Sequence, residues 1–172
     1  MITLLQAALL LVFPVLVIVG ALRDLTSFTI PNWISGLLIL AFFPAALLVG
    51  IAPMAIGAHL LIGLGALAVG VGMFALRWIG GGDAKLFAAA ALWLGAPAAL
   101  SYVVMTGLAG GALAMALISL RSPLLRPYVL SGPAWFGRLA DPKEAVPYGV
   151  AIAAGALATF ADSPLMQAWP GF

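Results

Sequence analysis

Six stretches of almost wholly apolar residues make up most of the chain, and this pattern constrains the fold more than any other feature. Hydrophobic residues account for 65% of the 172 positions and charged residues for 7%. A soluble domain has about 25% charged residues, so this chain has too few to cover a surface that faces water. Because open strands leave backbone groups unpaired in lipid, we predict an all-α integral membrane protein.

The lengths of the stretches predict a bundle of about six transmembrane helices, since a helix needs roughly 20 apolar residues to cross a bilayer. The first run lacks a basic n-region, so we interpret it as a span and not as a cleaved signal peptide. The chain, 1–172, is expected to form one polytopic membrane domain without an appended soluble domain. The predicted spans are residues 3–22, 33–51, 54–76, 84–94, a fifth that follows "GAPAA" (95–99) and ends near 120, and 147–161.

The basic residues decide the predicted orientation. With a break at residues 95–99, all seven lie in odd-numbered loops on one face, whereas without it the largest basic cluster lies opposite the others. The positive-inside rule therefore favours six spans, with the odd loops in the cytoplasm and both termini on the non-cytoplasmic side. The basic residues are Arg23 in the first loop, Arg77 and Lys85 in the third, and Arg121, Arg126, Arg138 and Lys143 in the fifth.

Several classes of site and partner are not expected. The chain has no cysteine and a single histidine, His59, so we expect neither a disulfide framework nor a metal site built on thiolates or histidines. The net charge of +2 is too small to indicate nucleic acid, and the partner that the surface indicates is membrane lipid. Residues 121–145 form a long loop with prolines, basic residues and aromatic side chains, which favours an anchor at the membrane interface over a substrate-docking element.

Two carboxylates, Asp24 and Asp83, differ from the other acidic residues because each lies at the edge of an apolar span on the predicted cytoplasmic face. Asp24 occurs in "RDLTSFTIPNW", directly after the first span. Asp83 follows three glycines in "RWIGGGDAKLF", and glycine permits unusual backbone angles and close approach of another chain. Asp141 and Glu144, in the long loop, are interpreted as solvated charges.

Two other segments accompany the carboxylates. Pro31 and Asn32 open the second span, where the missing N–H of proline is tolerated in the first helical turn. In "VPYGVAIAAG", Pro147, Tyr148 and Gly149 begin the last span. The predicted topology brings all of these segments to the same face of the bundle.

A pair of carboxylates held together is suited to aspartic-protease chemistry. One stays ionised and activates water, and the other stays protonated and donates to the substrate carbonyl, because like charges at close range do not both ionise easily. The absence of cysteine and the position of His59 on the opposite face argue against nucleophile–histidine chemistry. Spacing alone leaves a structural alternative open, in which Asp83 caps the fourth span and Asp24 pairs with Arg23 or Lys85.

The segments "RDLTSFTIPN", "GGGDAKL" and "VPYGVAIAAG" together resemble the type IV prepilin peptidases, the GxGD family of aspartic proteases. The similarity is closest to the short form that serves Flp/Tad-type pili. The resemblance implies that Asp24 and Asp83 are the catalytic residues and that no metal or cofactor takes part. It implies a supporting role for Gly80, Gly82, Lys85, Pro31, Asn32, Pro147, Tyr148 and Gly149.

The resemblance also implies a substrate and a location. A short basic leader would be cleaved from a Flp-type prepilin, just before its hydrophobic helix, at the cytoplasmic face of a prokaryotic inner membrane. The pilus assembly machinery is a possible further partner. Longer family members carry an N-terminal cytoplasmic insertion, often with metal-binding cysteines, and methylate the new N-terminus. Since no such insertion, cysteine or nucleotide motif occurs here, we expect cleavage without methylation.

Two other functions are compatible with the sequence. A small membrane transporter or a pilus-assembly subunit would use Asp24 and Asp83 to bind a cation or a proton, although a transporter more often places such acids near the membrane midplane. A related GxGD protease would act on some other signal-bearing substrate.

Overall fold

The computed structural model describes residues 1–142 and 144–171, and Lys143, one of the basic residues of the long loop, lies outside them. Every regular element in the described residues is helical, which confirms the all-α prediction. The helices are α1 (Ile2–Ser27), α2 (Asn32–Val49), α3 (Pro53–Ala75), α4 (Gly81–Leu120), α5 (Arg126–Leu130), α6 (Ala134–Leu139), α7 (Tyr148–Thr159) and α8 (Pro164–Ala168), and a 3-10 turn (Phe160–Asp162) joins the last two.

Five of the helical segments found in the described residues are long and apolar enough to cross a membrane. Their outward faces carry many large hydrophobic side chains, such as Leu4, Leu61 and Leu108, that are more than half exposed. A soluble monomer does not expose apolar surface on this scale, whereas lipid covers it favourably. The segments are α1, α2, α3, α4 and the stretch Tyr148–Ala168, which includes α7 and α8.

Helix α4 is folded back on itself. Gly95 has non-helical backbone angles, φ 66° and ψ −178°. The rings of Phe87 and Tyr102 stack with their centroids 4.9 Å apart, and the Tyr102 hydroxyl donates to the Phe87 carbonyl at 3.4 Å. In one continuous helix these residues would lie about 22 Å apart along the axis. Helix α4 is therefore a hairpin of two segments, α4a (81–94) and α4b (96–120).

The six-span prediction places a break between helices at residues 95–99, and the hairpin turns at Gly95, within that range. The number of membrane crossings and the side on which the termini lie stay predictions.

Segment α4a forms the centre of the bundle. The side chains of Leu86, Trp93 and Leu94 are fully buried, and the Trp93 indole donates to the Leu38 carbonyl of α2 at 2.8 Å. On the other side, α3 approaches α4a closely at Gly70, which has no side chain. A Cβ added there would lie 3.0 Å from the Cβ of Ala84. Small residues allow such close backbone contact in membrane bundles. The neighbouring helices thus fix α4a, and with it the position of Asp83.

The ends of two helices differ from the sequence interpretation. Helix α1 continues beyond the predicted end near residue 22, so Asp24 lies in its last turn and not in a loop. The helix ends where Phe28 adopts left-handed angles (φ 53°) and its N–H donates to the Asp24 carbonyl at 2.8 Å. Pro31 lies just before α2, with an extended backbone (ψ 140°), instead of in the first turn of that helix.

Candidate active site

Asp24 is held at the end of α1 by the beginning of α7. Its side chain is 5% exposed, and its Oδ2 accepts a hydrogen bond of 2.7 Å from the backbone N–H of Gly149. Gly149 lies in the first turn of α7, where backbone N–H groups are not used within the helix and favour an anion. A Cβ at this position would lie 2.9 Å from Asp24 Oδ2, so a residue without a side chain is required.

Asp83 is the third residue of α4, directly after the glycines. Its Oδ2 accepts a hydrogen bond of 3.0 Å from the backbone N–H of Gly80, the residue that caps the helix. An acidic residue at this position commonly reaches back to the N-cap in this way. The other oxygen, Oδ1, is buried and has no hydrogen-bond partner among the described residues. Asp83 therefore has a capping role that occupies only one of its two oxygens.

The two carboxylates face the same space. Both line a cavity of about 740 Å³. The alternative pairing of Asp24 with Arg23 or Lys85 is not what the structure shows. Asp24 bonds to a backbone N–H, and Lys85 Nζ donates instead to Asn32 Oδ1 at 2.8 Å. Two carboxylates from segments 59 residues apart thus meet in one cavity without a basic partner in the described residues.

The glycines before Asp83 provide space and not unusual backbone angles. Gly80 has an ordinary extended conformation (φ −73°), and neither Gly81 nor Gly82 has a positive φ, so that part of the interpretation is wrong. The expected close approach does occur. A Cβ on Gly82 would lie 3.0 Å from the Cβ of Ile30, and one on Gly80 would lie 2.9 Å from Asp83 Oδ2.

Ile30 joins the two carboxylate segments, and the sequence interpretation missed it. It packs against Gly82 of α4, and its Cδ1 would lie 2.8 Å from a Cβ on Gly149 of α7. The side chain therefore fills the space between the elements that hold Asp83 and Asp24. The only sequence signal is an apolar residue directly before Pro31 in a polar stretch.

The remaining predicted residues lie around this centre. Pro147 is buried and precedes the first turn of α7. Tyr148 lines the cavity, and its ring packs on Gly110 of α4b, where a Cβ would lie 2.5 Å from the Tyr148 hydroxyl. Lys85 and Asn32 connect α4 to the start of α2 near the surface. The structure thus brings all three sequence segments to one end of the bundle.

Aromatic residues form part of the cavity wall and were not recognised in the sequence, because cavity-facing and lipid-facing aromatics look alike in an apolar chain. Phe28, Phe74 and Trp78 line the cavity, and the Trp78 side chain is 71% exposed. Phe28 and Arg77 are the described non-glycine residues with positive φ, at 53° and 61°, and both line the cavity. Such uncommon backbone angles occur often at functional sites.

The long loop folds against this end of the bundle. Arg121 donates to the carbonyl oxygens of Leu139 and Glu144 at 2.9 and 3.0 Å. The Glu144 carboxylate forms an exposed ion pair of 2.9 Å with Arg138. The Arg138 guanidinium also lies 4.7 Å from the centroid of the Phe28 ring, over the cavity wall.

Among the described residues no group of three His, Cys, Asp or Glu side chains is placed to hold a metal ion. The site is therefore described by its two carboxylates, the backbone N–H groups that hold them, and the apolar wall of the cavity.

The family model of the type IV leader peptidase family matches residues 11–115, a segment that includes both Asp24 and Asp83. No curated protein and no solved structure matches the chain. The matched segment is more than half of the chain and includes α2, α3 and the α4 hairpin turn. The chain is a helical membrane protein that belongs to the type IV leader peptidase family.

Proposed function

We propose that the protein is an aspartic endopeptidase that removes the short basic leader of a prepilin, with Asp24 and Asp83 as its catalytic pair. The observation that carries the proposal is the meeting of two buried carboxylates in one cavity, each with one oxygen held by a backbone N–H. A structural cap at Asp83 does not require a second carboxylate in the same cavity. A water molecule and a substrate carbonyl in this cavity would lie beside both carboxylates.

The proposed reaction follows from this arrangement. One carboxylate accepts a proton from water while the water oxygen attacks the carbonyl carbon of the scissile bond, and the other, protonated carboxyl donates its proton to the carbonyl oxygen. The resulting tetrahedral diol collapses when the first carboxyl gives that proton to the leaving nitrogen, the second carboxylate takes a proton from a diol hydroxyl, and the C–N bond breaks. One oxygen of each carboxylate is held by a backbone N–H, from Gly149 and from Gly80, which fixes the orientation of the pair.

The position of the pair supports a peptidase over a transporter. Asp24 lies in the last turn of α1 and Asp83 in the first turn of α4, so both are at helix ends and not in the middle of the apolar segments. Transporter sites are expected near the midplane. The finer parts of the proposal come from the sequence resemblance: a Flp-type prepilin as substrate, the cytoplasmic face of a prokaryotic inner membrane as location, and a product without an N-terminal methyl group.

The test is cleavage by the purified protein. We expect a Flp-type prepilin to be cut once, directly before its apolar helix, and mass spectrometry to show an unmodified new N-terminus even with S-adenosylmethionine present. Asp83→Asn should be inactive, and Asp141→Asn, the same chemical change in the long loop, should keep most of the activity. Failure of the well-folded protein to cleave any leader-bearing substrate would contradict the proposal, and a methylated product would overturn its last part.

A further inference from the structure

A second cavity lies along the side of the bundle, between α3, α4b and α7. Its volume is about 480 Å³, and its walls are formed mainly by apolar side chains such as Leu61 and Val69 of α3, Val103 of α4b and Ile152 of α7. Leu61, Val69 and Val103 are each more than half exposed, so this cavity is an open groove on the apolar surface and not an enclosed space.

The groove is continuous with the cavity that holds the carboxylates. Ile79 and Tyr148 line both of them. On α3 the groove extends from Leu61 to Met73, which corresponds to about 18 Å along the helix axis. It therefore begins beside Asp24 and Asp83 and continues along the apolar part of the bundle.

Two glycines open this groove. No described atom lies within 4 Å of a Cβ built on Gly65 of α3 or on Gly107 of α4b, and both residues are exposed. Gly70 and Gly110, in contrast, are covered by Ala84 and Tyr148 of the same chain. Gly65 and Gly107 are thus not used for packing within the bundle. Exposed glycines of this kind allow the backbone of another helix to come close.

We propose that this groove binds the apolar helix of the substrate, the segment that follows the scissile bond, between α3 and α4b. The inference rests on the proposed function. A substrate cut directly before an apolar helix must pass from the carboxylates into an apolar environment within a few residues, and the shared lining at Ile79 and Tyr148 provides that path. A lipid chain or a second copy of the protein would not require a groove that is continuous with the carboxylate cavity, so the continuity favours the substrate helix.

Groove-filling variants test the proposal. Gly65→Leu and Gly107→Leu should raise the KM for a helix-bearing prepilin about tenfold or more, because the added side chain occupies the space of the substrate helix. Cleavage of a short peptide that contains the leader junction but no helix should not change. Gly72→Leu and Gly111→Leu are matched controls, since these glycines are equally open but do not line the groove. They should behave as the unsubstituted protein with both substrates.

The outcomes separate the two proposals. If the groove variants cleave both substrates normally, or lose both equally, the groove assignment is wrong while the peptidase assignment stands. If the unsubstituted protein cleaves neither substrate, the proposed function itself is wrong.

Crosslinking identifies the occupant directly. A photoreactive residue at Val103 should attach to the apolar helix of the prepilin, and one at Met115, which is exposed on the same helix outside the groove, should not. Using the Asp83→Asn variant keeps the substrate intact during the experiment. Attachment from Val103 only to lipid, or to a second copy of the protein, would overturn the proposal.

Discussion

A buried titratable side chain lies beside a glycine at each end of segment α4a, yet the two side chains have different roles. At one end, Asp83 follows Gly82 and faces a cavity together with a second carboxylate, and its Oδ1 has no partner in the described chain. At the other end, His59 of α3 is 2% exposed and its Nδ1 is hydrogen-bonded to the Leu92 carbonyl at 2.7 Å. The His59 Nε2, like Asp83 Oδ1, is buried without a partner among the described residues.

The difference lies in the surrounding space. The His59 ring fills the position beside Gly95, where a Cβ would lie 2.5 Å from its Cε1, and His59 lines neither the carboxylate cavity nor the groove. It holds the hairpin turn of α4. Burial of a polar group thus does not by itself indicate a functional site. An open cavity and a second reactive group beside it do, and substitutions at the two ends should separate activity from stability.

The largest expected effect is at the carboxylate end. Gly149→Ala would place a Cβ 2.8 Å from Ile30 Cδ1 and 2.9 Å from Asp24 Oδ2. Because Asp24 must move away, we expect prepilin cleavage to fall about 100-fold. Small misplacements of catalytic groups cause losses of this size. Initial cleavage rates at equal concentrations of folded protein measure the effect. Gly36→Ala, in open space on α2, is the control and should keep normal activity.

At the hairpin end, Gly95→Ala should destabilise the protein without a specific effect on catalysis. The backbone angles of Gly95 are accessible almost only to glycine, and a Cβ would also clash with His59. Together these effects cost about 2–5 kcal/mol of folding free energy. Thermal unfolding in detergent should show a lower Tm, while cleavage per folded molecule stays near normal. Loss of cleavage with an unchanged Tm would reverse the roles assigned to the two ends.

The smallest effect is expected at the contact between Lys85 and Asn32, near the carboxylate end of α4a. Lys85→Met removes the exposed hydrogen bond of 2.8 Å to Asn32. Exposed polar contacts contribute little, so we expect a loss of cleavage of about two- to fivefold. Asn32→Leu should have a similar effect, and the double variant should be no worse than either single one, because both remove the same contact. Additive losses would show that Lys85 acts on the substrate independently of Asn32.

The main architecture could be predicted from the sequence because the architecture depends on simple patterns of apolar and charged residues. Apolar runs indicated the membrane helices, and the basic residues indicated the break that the structure places at Gly95. Three short segments indicated one site at one end of the bundle. Each of these inferences depends on local composition, which a single sequence contains.

The contacts that complete the site could not be predicted, since they join distant segments. The hydrogen bond from Gly149 to Asp24 connects residues 125 positions apart, and Ile30 packs against two helices at once. Close approach of another segment to the glycines before Asp83 was expected, but the sequence did not show that Ile30 is the residue that approaches Gly82. Only the packed structure shows which neighbour occupies the space that a glycine leaves.

Asparagine substitutions show whether Asp24 and Asp83 act as one catalytic pair. The amide oxygen of asparagine can accept the same hydrogen bonds from Gly149 and Gly80, so each variant keeps the structural contacts and loses the acid. We expect each single variant to fold normally and to lose prepilin cleavage about 100-fold or more, with the double variant no worse than either single one. Full cleavage by a well-folded Asp83→Asn protein would contradict a catalytic role for Asp83 and leave its carboxylate with a capping role alone.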